Sequence, residues 1–271
     1  MLVSESGVSR SSLATFASYQ GYSMSQTGAS ITFLYMPIDG VAAYWLSLRK
    51  LMGNARNLKA LEGEAQFVSE PFVRHLLDMI TAQVSTERFR DLSRTCETQE
   101  IDRLDRQFDL MRVAVTDMAA GENPLRTLAR MTARFPSPMS DPEGMLEAAQ
   151  TRVSDALNGP MPAEASRIDH HMQDEDLVTT LLFYATLCRR HGKTACRPFL
   201  PQEGSLFFTD ALSLVVDGFD GPFIRKWMKR FKTTIITDMQ RKMSLSTDMG
   251  IAILDRASFE DMRFLVRSYI R

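Results

Sequence analysis

The chain lacks a run of about 20 apolar residues of the kind that spans a bilayer. The nearest approach is the uncharged stretch from Ser11 to Ile38, continued by "SITFLYMPIDGVAAYWL". Ser, Thr, Gln and Gly fill much of it, and Pro37 and Asp39 interrupt it, so a buried helix or a surface-seeking segment is expected. Charge of one sign is also missing. A net charge of −1 argues against a dedicated nucleic-acid binder, which carries a basic excess. Cysteine is scarce: Cys96, Cys188 and Cys196 leave at least one thiol unpaired. With no secretory leader read ahead of them, a reducing cytoplasm is the expected setting. β-branched runs bounded by hairpin turns are almost absent, which removes an all-β fold from consideration.

Helical periodicity takes their place, and the expected fold is mainly α. "PFVRHLLDMITAQV" sets Phe72, His75, Leu76, Met79 and Ile80 along one helical face. "TQEIDRLDRQFDLMRVAVTDMAAG" predicts a helix of some six turns with an inward stripe of Ile101, Leu104, Phe108, Met111 and Val115. Asp102, Arg103, Asp105 and Arg106 alternate on its other face and suit a solvated surface. Gly121 ends it, and Asn123-Pro124 restarts the chain as a further helix. Prolines 136, 138, 142, 160 and 162 then mark a linker, with one short helix from about Glu143 to Leu157 between the breaks. The expected organisation is a helical bundle in two halves: an N-terminal helical region, 1–135, the Pro-rich linker, 136–166, and a second helical region, 167–271. In the latter, "DEDLVTTLLFYATLCRRHG" opens on Asp174, Glu175 and Asp176 and closes on Arg189, Arg190 and His191 before Gly192. Acids at the positive end of the helix dipole and bases at its negative end predict a helix there.

Three motifs invite chemistry and are weighed down by their context. "HGKT" at His191 to Thr194 has Leu187 where a phosphate loop requires glycine, so no backbone cradle exists for a nucleotide. "DHH" at Asp169 to His171 resembles the triplet of the DHH phosphoesterases but comes after a linker, without that family's other acidic motifs, and reads as a solvated loop before a helix. Cys188, His191 and Cys196, with His170 or His171 as a fourth ligand, offer donor atoms that zinc accepts. Cys188 nevertheless lines up with Leu181, Tyr184 and Leu187, where cysteine acts as a small buried hydrophobe. His75 has no Ser or Cys neighbour that suggests nucleophilic catalysis. No catalytic residue and no cofactor is assigned, and the chain reads as a non-enzyme.

A stronger pattern is "GPFIRKWMKRFK". Ile224, Trp227, Met228 and Phe231 repeat at helical spacing, while Arg225, Lys226, Lys229, Arg230 and Lys232 occupy the remainder with no acid among them. Such a helix suits an acidic protein partner or an anionic membrane surface, or it is a core helix with a basic solvent face.

Together with the helix at 174–191, this stretch resembles a known family. "DLVTTLLFYATLCRRHG" and then "SLFFTDALSLVVDGFDGPFIRKWMKRFKTTIITDMQRK" are similar, over about residues 174–243, to the cytoplasmic loop of MotA-type flagellar stator subunits in the MotA/TolQ/ExbB group. "LVVDGFDGPFIR" is its most specific piece, and the resemblance makes Asp217-Gly218 and Asp220-Gly221-Pro222 a joint between two scaffold helices. "SITFLYMPIDGVAAYWLSLRKLM" echoes the stretch where such a subunit leaves the membrane. "AAGENPLRTLARMTARFP" echoes the family's tail, but precedes the loop where the family's tail comes after it, and nothing is carried over from it. The family's four membrane helices have no counterpart, so ion conduction is not implied. In the family a basic residue before the helix-ending glycine, and an acidic one after it, touch the rotor's switch protein. Arg189 and Arg190 match the basic position, whereas Arg197 reverses the acidic one.

The resemblance implies a cytoplasmic protein, peripheral to the inner membrane, that acts in flagellar motility by contact with a stator or rotor component. The expected partner-binding residues are Arg189, Arg190, Arg197, Arg225, Lys226, Lys229 and Arg230. An anionic membrane surface is a further partner to consider and an oligomer is compatible with it; no nucleic acid is expected. Two rival readings stay open: a general helical adaptor outside the motor, and a zinc-binding protein built on His170, His171, Cys188, His191 and Cys196.

Overall fold

The computed structural model describes residues 33–53, 58–159, 163–200 and 204–270. The described residues form ten α-helices joined by turns and short 3-10 segments, with no β-strand among them. The mainly α expectation therefore holds. They gather into two compact units. Residues up to Glu100 together with those from Thr237 onward form one, and Ile101–Ile236 form the other. The dividing lines thus fall inside two long helices, α4 (Thr86–Ala120) and α9 (Gly221–Leu254), and not at 136–166. The expected linker lies wholly within the second unit; Pro136 and Pro138 stand in irregular chain there, and the short helix expected from about Glu143 to Leu157 follows them. Pro142 occupies the first turn of α6 (Pro142–Asn158), where its missing N–H has no partner to lose, and Asp141 caps that turn by accepting from the Gly144 N–H.

In the first unit α1 (Ile38–Met52) buries Val41, Trp45 and Leu48, and the Trp45 indole N–H donates to Ser246 Oγ on α9 at 3.0 Å. Of the two expectations for this stretch, buried helix or surface-seeking segment, the described part from Ile38 onward takes the buried helix. Residues 1–32, which hold most of the uncharged stretch, lie outside the described residues. α2 (Leu58–Phe67) packs on α1 and on α3 (Pro71–Thr81), and α10 (Phe259–Tyr269) closes on α1. On α3 the core stripe is Phe72, Val73, Leu76, Leu77, Met79 and Ile80, so His75 sits at its flank, half-buried, and not on the inward face. α4 begins at Thr86, well before the expected Thr98, since "TERFRDLSRTCE" holds neither Gly nor Pro to stop it.

Lys242 on α9 is 1% exposed. Its ammonium donates to the Leu34 carbonyl at 2.9 Å and the Phe33 carbonyl at 3.4 Å, and meets Asp238 one turn back at 2.5 Å. A buried cation is tolerated only when paired and hydrogen-bonded, and here both conditions are met.

The second unit is arranged around α7 (Asp174–His191), which is buried without interruption from Leu177 to Cys188. A helix buried on all sides needs neighbours all round. α5 (Pro124–Thr132), α6, and the 3-10 segment Lys193–Phe199 pack on it. Tyr184 donates to the Ser166 carbonyl at 2.8 Å and stands 5.0 Å, ring to ring, from Phe208 of α8 (Leu206–Val216). Leu104, Phe108, Met111 and Val115 of α4 are buried as their spacing predicts, and Phe108 packs on Phe207 at 4.6 Å.

The charges on α4 are not a free solvated face. Lys232 lies 2.8 Å from both Asp105 and Asp109, Arg106 reaches Asp174 at 3.5 Å, and Arg103 donates to the His170 carbonyl. Burial works to raise the Asp109 carboxyl, but Lys232 and Arg112 outweigh it and hold it below the usual carboxylate range.

Candidate protein-interaction surface

α8 and α9 meet in the turn 217–220. The left-handed conformation of Gly218 (φ 82°) lets the Gly218 N–H reach the Val215 carbonyl and the Phe219 N–H reach that of Leu214, the paired bonds of a Schellman stop. Asp220 then caps α9 by accepting from the Phe223 N–H at 2.7 Å. The stretch is a joint between helices, as the sequence pattern implies.

From this joint α9 runs with Ile224 and Met228 fully buried and Trp227 and Phe231 half-buried against each other, their rings 4.9 Å apart. Arg225, Lys226, Lys229 and Arg230 are exposed. Ahead of them Phe219 and Phe223, 45% and 44% exposed, stack on one another at 5.2 Å. Sequence periodicity misses this pair, because Phe219 belongs to the turn and Phe223 to the first turn of the helix. An exposed, stacked aromatic pair at the start of a helix that carries four exposed cations is a feature of interaction surfaces more than of a plain solvent face.

The other basic cluster ends α7. Arg189 donates to the Gly121 carbonyl at 2.8 Å, and Lys193 donates to the Ala119 carbonyl at 2.7 Å. Both bonds cap the C-terminal end of α4, whose last carbonyls have no partner within the helix and carry its negative pole. Arg189, expected as a partner contact, is therefore engaged within the protein. Arg190 and Arg197 are exposed, with Arg197 3.6 Å from Asp217 at the α8–α9 joint.

Two acids tie the clusters together. Asp117, 3% exposed, pairs with Arg130 and also feels Arg225; burial is the main influence and raises its carboxyl despite those cations. Glu122 is held low, first by the Asn123 backbone N–H, against slight desolvation, and then by Arg126, Arg130 and Arg189. Bases from α5, α7 and α9 thus converge on the end of α4. Arg126 and Arg130 were not among the expected contacts, and only the turn at Gly121 hinted that α5 would fold back beside α7.

The metal reading does not assemble. No group of three or more His, Cys, Asp or Glu side chains is placed to hold an ion among the described residues. His170, expected in a solvated loop, is 4% exposed and set edge-on to Phe108 at 5.8 Å, while His171 and His191 are exposed. Burial pushes His170 down to about 4, so it is neutral near pH 7. The Cys188 and Cys196 sulfurs lie 3.0 Å apart, buried, with no third ligand grouped around them. The cavity lined by Ser166, Ile168, Tyr184, Phe199 and Phe208 has a volume of about 10 Å³, room for a water and not for a substrate.

No helix among the described residues is long and apolar enough to cross a membrane. Comparison with protein-family models, with characterised proteins and with solved structures finds no match.

Proposed function

We propose that this protein is a non-enzymatic interaction module that docks an acidic surface of a partner protein through the basic end of its second unit. The observation that carries this reading is the convergence of Arg126, Arg130, Arg189 and Arg225 on the end of α4. With it goes the exposed stack of Phe219 and Phe223 next to Arg225 and Lys226. Cations around an aromatic anchor match the composition of protein-binding hot spots, with the charges setting encounter rate and register. The resemblance of 174–243 to the MotA cytoplasmic loop supports a partner in the flagellar motor, a stator or rotor component, and hence a role in motility.

The test is swimming in a strain that carries Arg190→Glu, Arg225→Glu and Lys226→Glu together in place of the native residues, with filaments counted. These three are exposed, so the fold is expected to stand. Filaments present with swimming lost, and restored by a compensating charge on a captured motor protein, are expected. Normal swimming in both this strain and a deletion strain would remove the motor reading.

A further inference from the structure

Cys188 closes the buried core of α7, and Cys196 sits in the 3-10 segment after it, each immediately before one of the exposed or capping arginines, Arg189 and Arg197. Their sulfurs are 3.0 Å apart, with Cys196 fully buried and Cys188 8% exposed. A disulfide needs about 2.05 Å, so closure asks for a shift of roughly 1 Å in two flexible side chains. We infer that Cys188 and Cys196 are a modification site, a dithiol that closes to a reversible disulfide and so fixes the segment bearing Arg189, Arg190 and Lys193. This rests on the docking reading only for its consequence, not for the chemistry.

The two thiols are not equivalent. The hydrogen bond between them, in which either sulfur can donate, and then the Lys193 ammonium favour the thiolate at Cys188 against burial. Cys188 is also the more open of the two, Cys196 being fully buried. Cys188 is therefore the attacking sulfur and Cys196 the resolving one. With hydrogen peroxide as oxidant, the Cys188 thiolate bonds to one oxygen as the O–O bond breaks, and the departing hydroxide takes up a proton as water. The Cys196 sulfur then bonds to the Cys188 sulfenic acid, the S–O bond breaks, and the leaving hydroxide carries off the Cys196 proton as a second water. Two thiols lose two electrons in total and one peroxide gains them. Lys193 both caps the Ala119 carbonyl and acts on Cys188, which links the redox state to the end of α4.

The experiment takes the full chain, reduced, and exposes it to hydrogen peroxide before denaturation and alkylation with iodoacetamide. Of the three cysteines, Cys96 alone is expected to remain alkylated, with peptides 188 and 196 joined, and dithiothreitol is expected to restore all three. Hydrogen exchange across 189–199 is expected to slow by roughly tenfold to a hundredfold in the oxidised form, since a cross-link restricts local opening. Cys188→Ser and Cys196→Ser should each abolish the link; should either fail to fold, the wild-type alkylation pattern decides alone. Full alkylation after oxidant, a link through Cys96, or separate over-oxidation of the two sulfurs would overturn the proposal. Poly-glutamate binding at low salt separates it from the docking reading. Several-fold tighter binding by the oxidised form is expected, because a fixed segment loses less freedom on binding. Equal binding by the two forms overturns the regulatory consequence. No binding by either form sinks the docking reading, and the mass pattern still decides the disulfide.

Discussion

Gly250 on α9 faces the ring of Phe89 on α4 so closely that a Cβ at position 250 would stand 2.5 Å from Cζ. Phe89 is fully buried and cannot retreat to solvent. Glycine inside a helix ordinarily costs about 1 kcal/mol against alanine, so Gly250→Ala gains that propensity and loses packing. Overpacking a filled core costs about 1–3 kcal/mol, and a ring held on all sides belongs at the upper end. The expected net outcome is a loss of about 1–2 kcal/mol in urea unfolding. Phe89→Leu added to Gly250→Ala should recover part of it, and a stabilised single variant would contradict the contact.

Two helix ends use the same stop as Gly121 and Gly218 without glycine. Gln83 at φ 51° and Arg256 at φ 63° lie in the left-handed region, each with the paired backbone bonds of a Schellman motif. A side chain there costs about 1–2 kcal/mol, against about 0.4–1 kcal/mol that glycine adds to unfolded-chain entropy. Gln83→Gly and Arg256→Gly are each expected to raise unfolding stability by about 0.5–1 kcal/mol. Gly218→Ala should lower it by a similar amount. The check is a thermal scan of the three variants beside the parent.

The local devices of this fold were legible in the sequence where one short window contains both cause and effect. The stripe Leu104, Phe108, Met111 and Val115, the stop at Gly121 and the joint at 217–222 are of that kind. Window reasoning fails where partners are distant. Lys193 and Arg189 find their acceptors at Ala119 and Gly121, some seventy positions away, and no periodicity announces it. Pro71 and Pro124 open helices as their surroundings predict, and Pro142 opens the helix expected from about Glu143; the prolines mislead only in that 136–166 is no boundary between units. The division into units was invisible because the first unit joins segments from the two ends of the chain. At the candidate surface the basic residues were legible by composition, but their convergence on Asp117 and Glu122 was not.

Lys242 offers a test of buried polar pairing in the first unit. Its ammonium donates to two backbone carbonyls, Phe33 and Leu34, in buried hydrogen bonds. Lys242→Met keeps the stem's volume and removes the donors. Leaving such acceptors unmatched costs about 1–3 kcal/mol, and the half-exposed Asp238 adds little because water can solvate it. The expected loss is about 2 kcal/mol, with proteolysis after residue 33 accelerated. An unchanged midpoint would mean that the carbonyls find water.

His170 sets a pH dependence whose sign is dictated by burial. Its folded value of about 4 lies below the ordinary value of 6.5. Burial is the main cause, opposed by Asp169 and reinforced by His171 and Arg103. Between these two values the unfolded chain binds a proton that the folded chain refuses, so stability falls as pH drops from about 6.5 toward 4 and is complete above 6.5. A shift of this size is worth up to about 3 kcal/mol at the acid end. Asp109, held low by Lys232 and Arg112, adds loss only below the normal carboxylate range, while Asp117, raised, works in the opposite direction. His170→Phe preserves an aromatic against Phe108 and removes the proton site. Urea midpoints measured at pH 7.5, 6 and 5 should therefore converge in His170→Phe and spread in the parent. Equal slopes in the two proteins would show that His170 takes up its proton in the folded state.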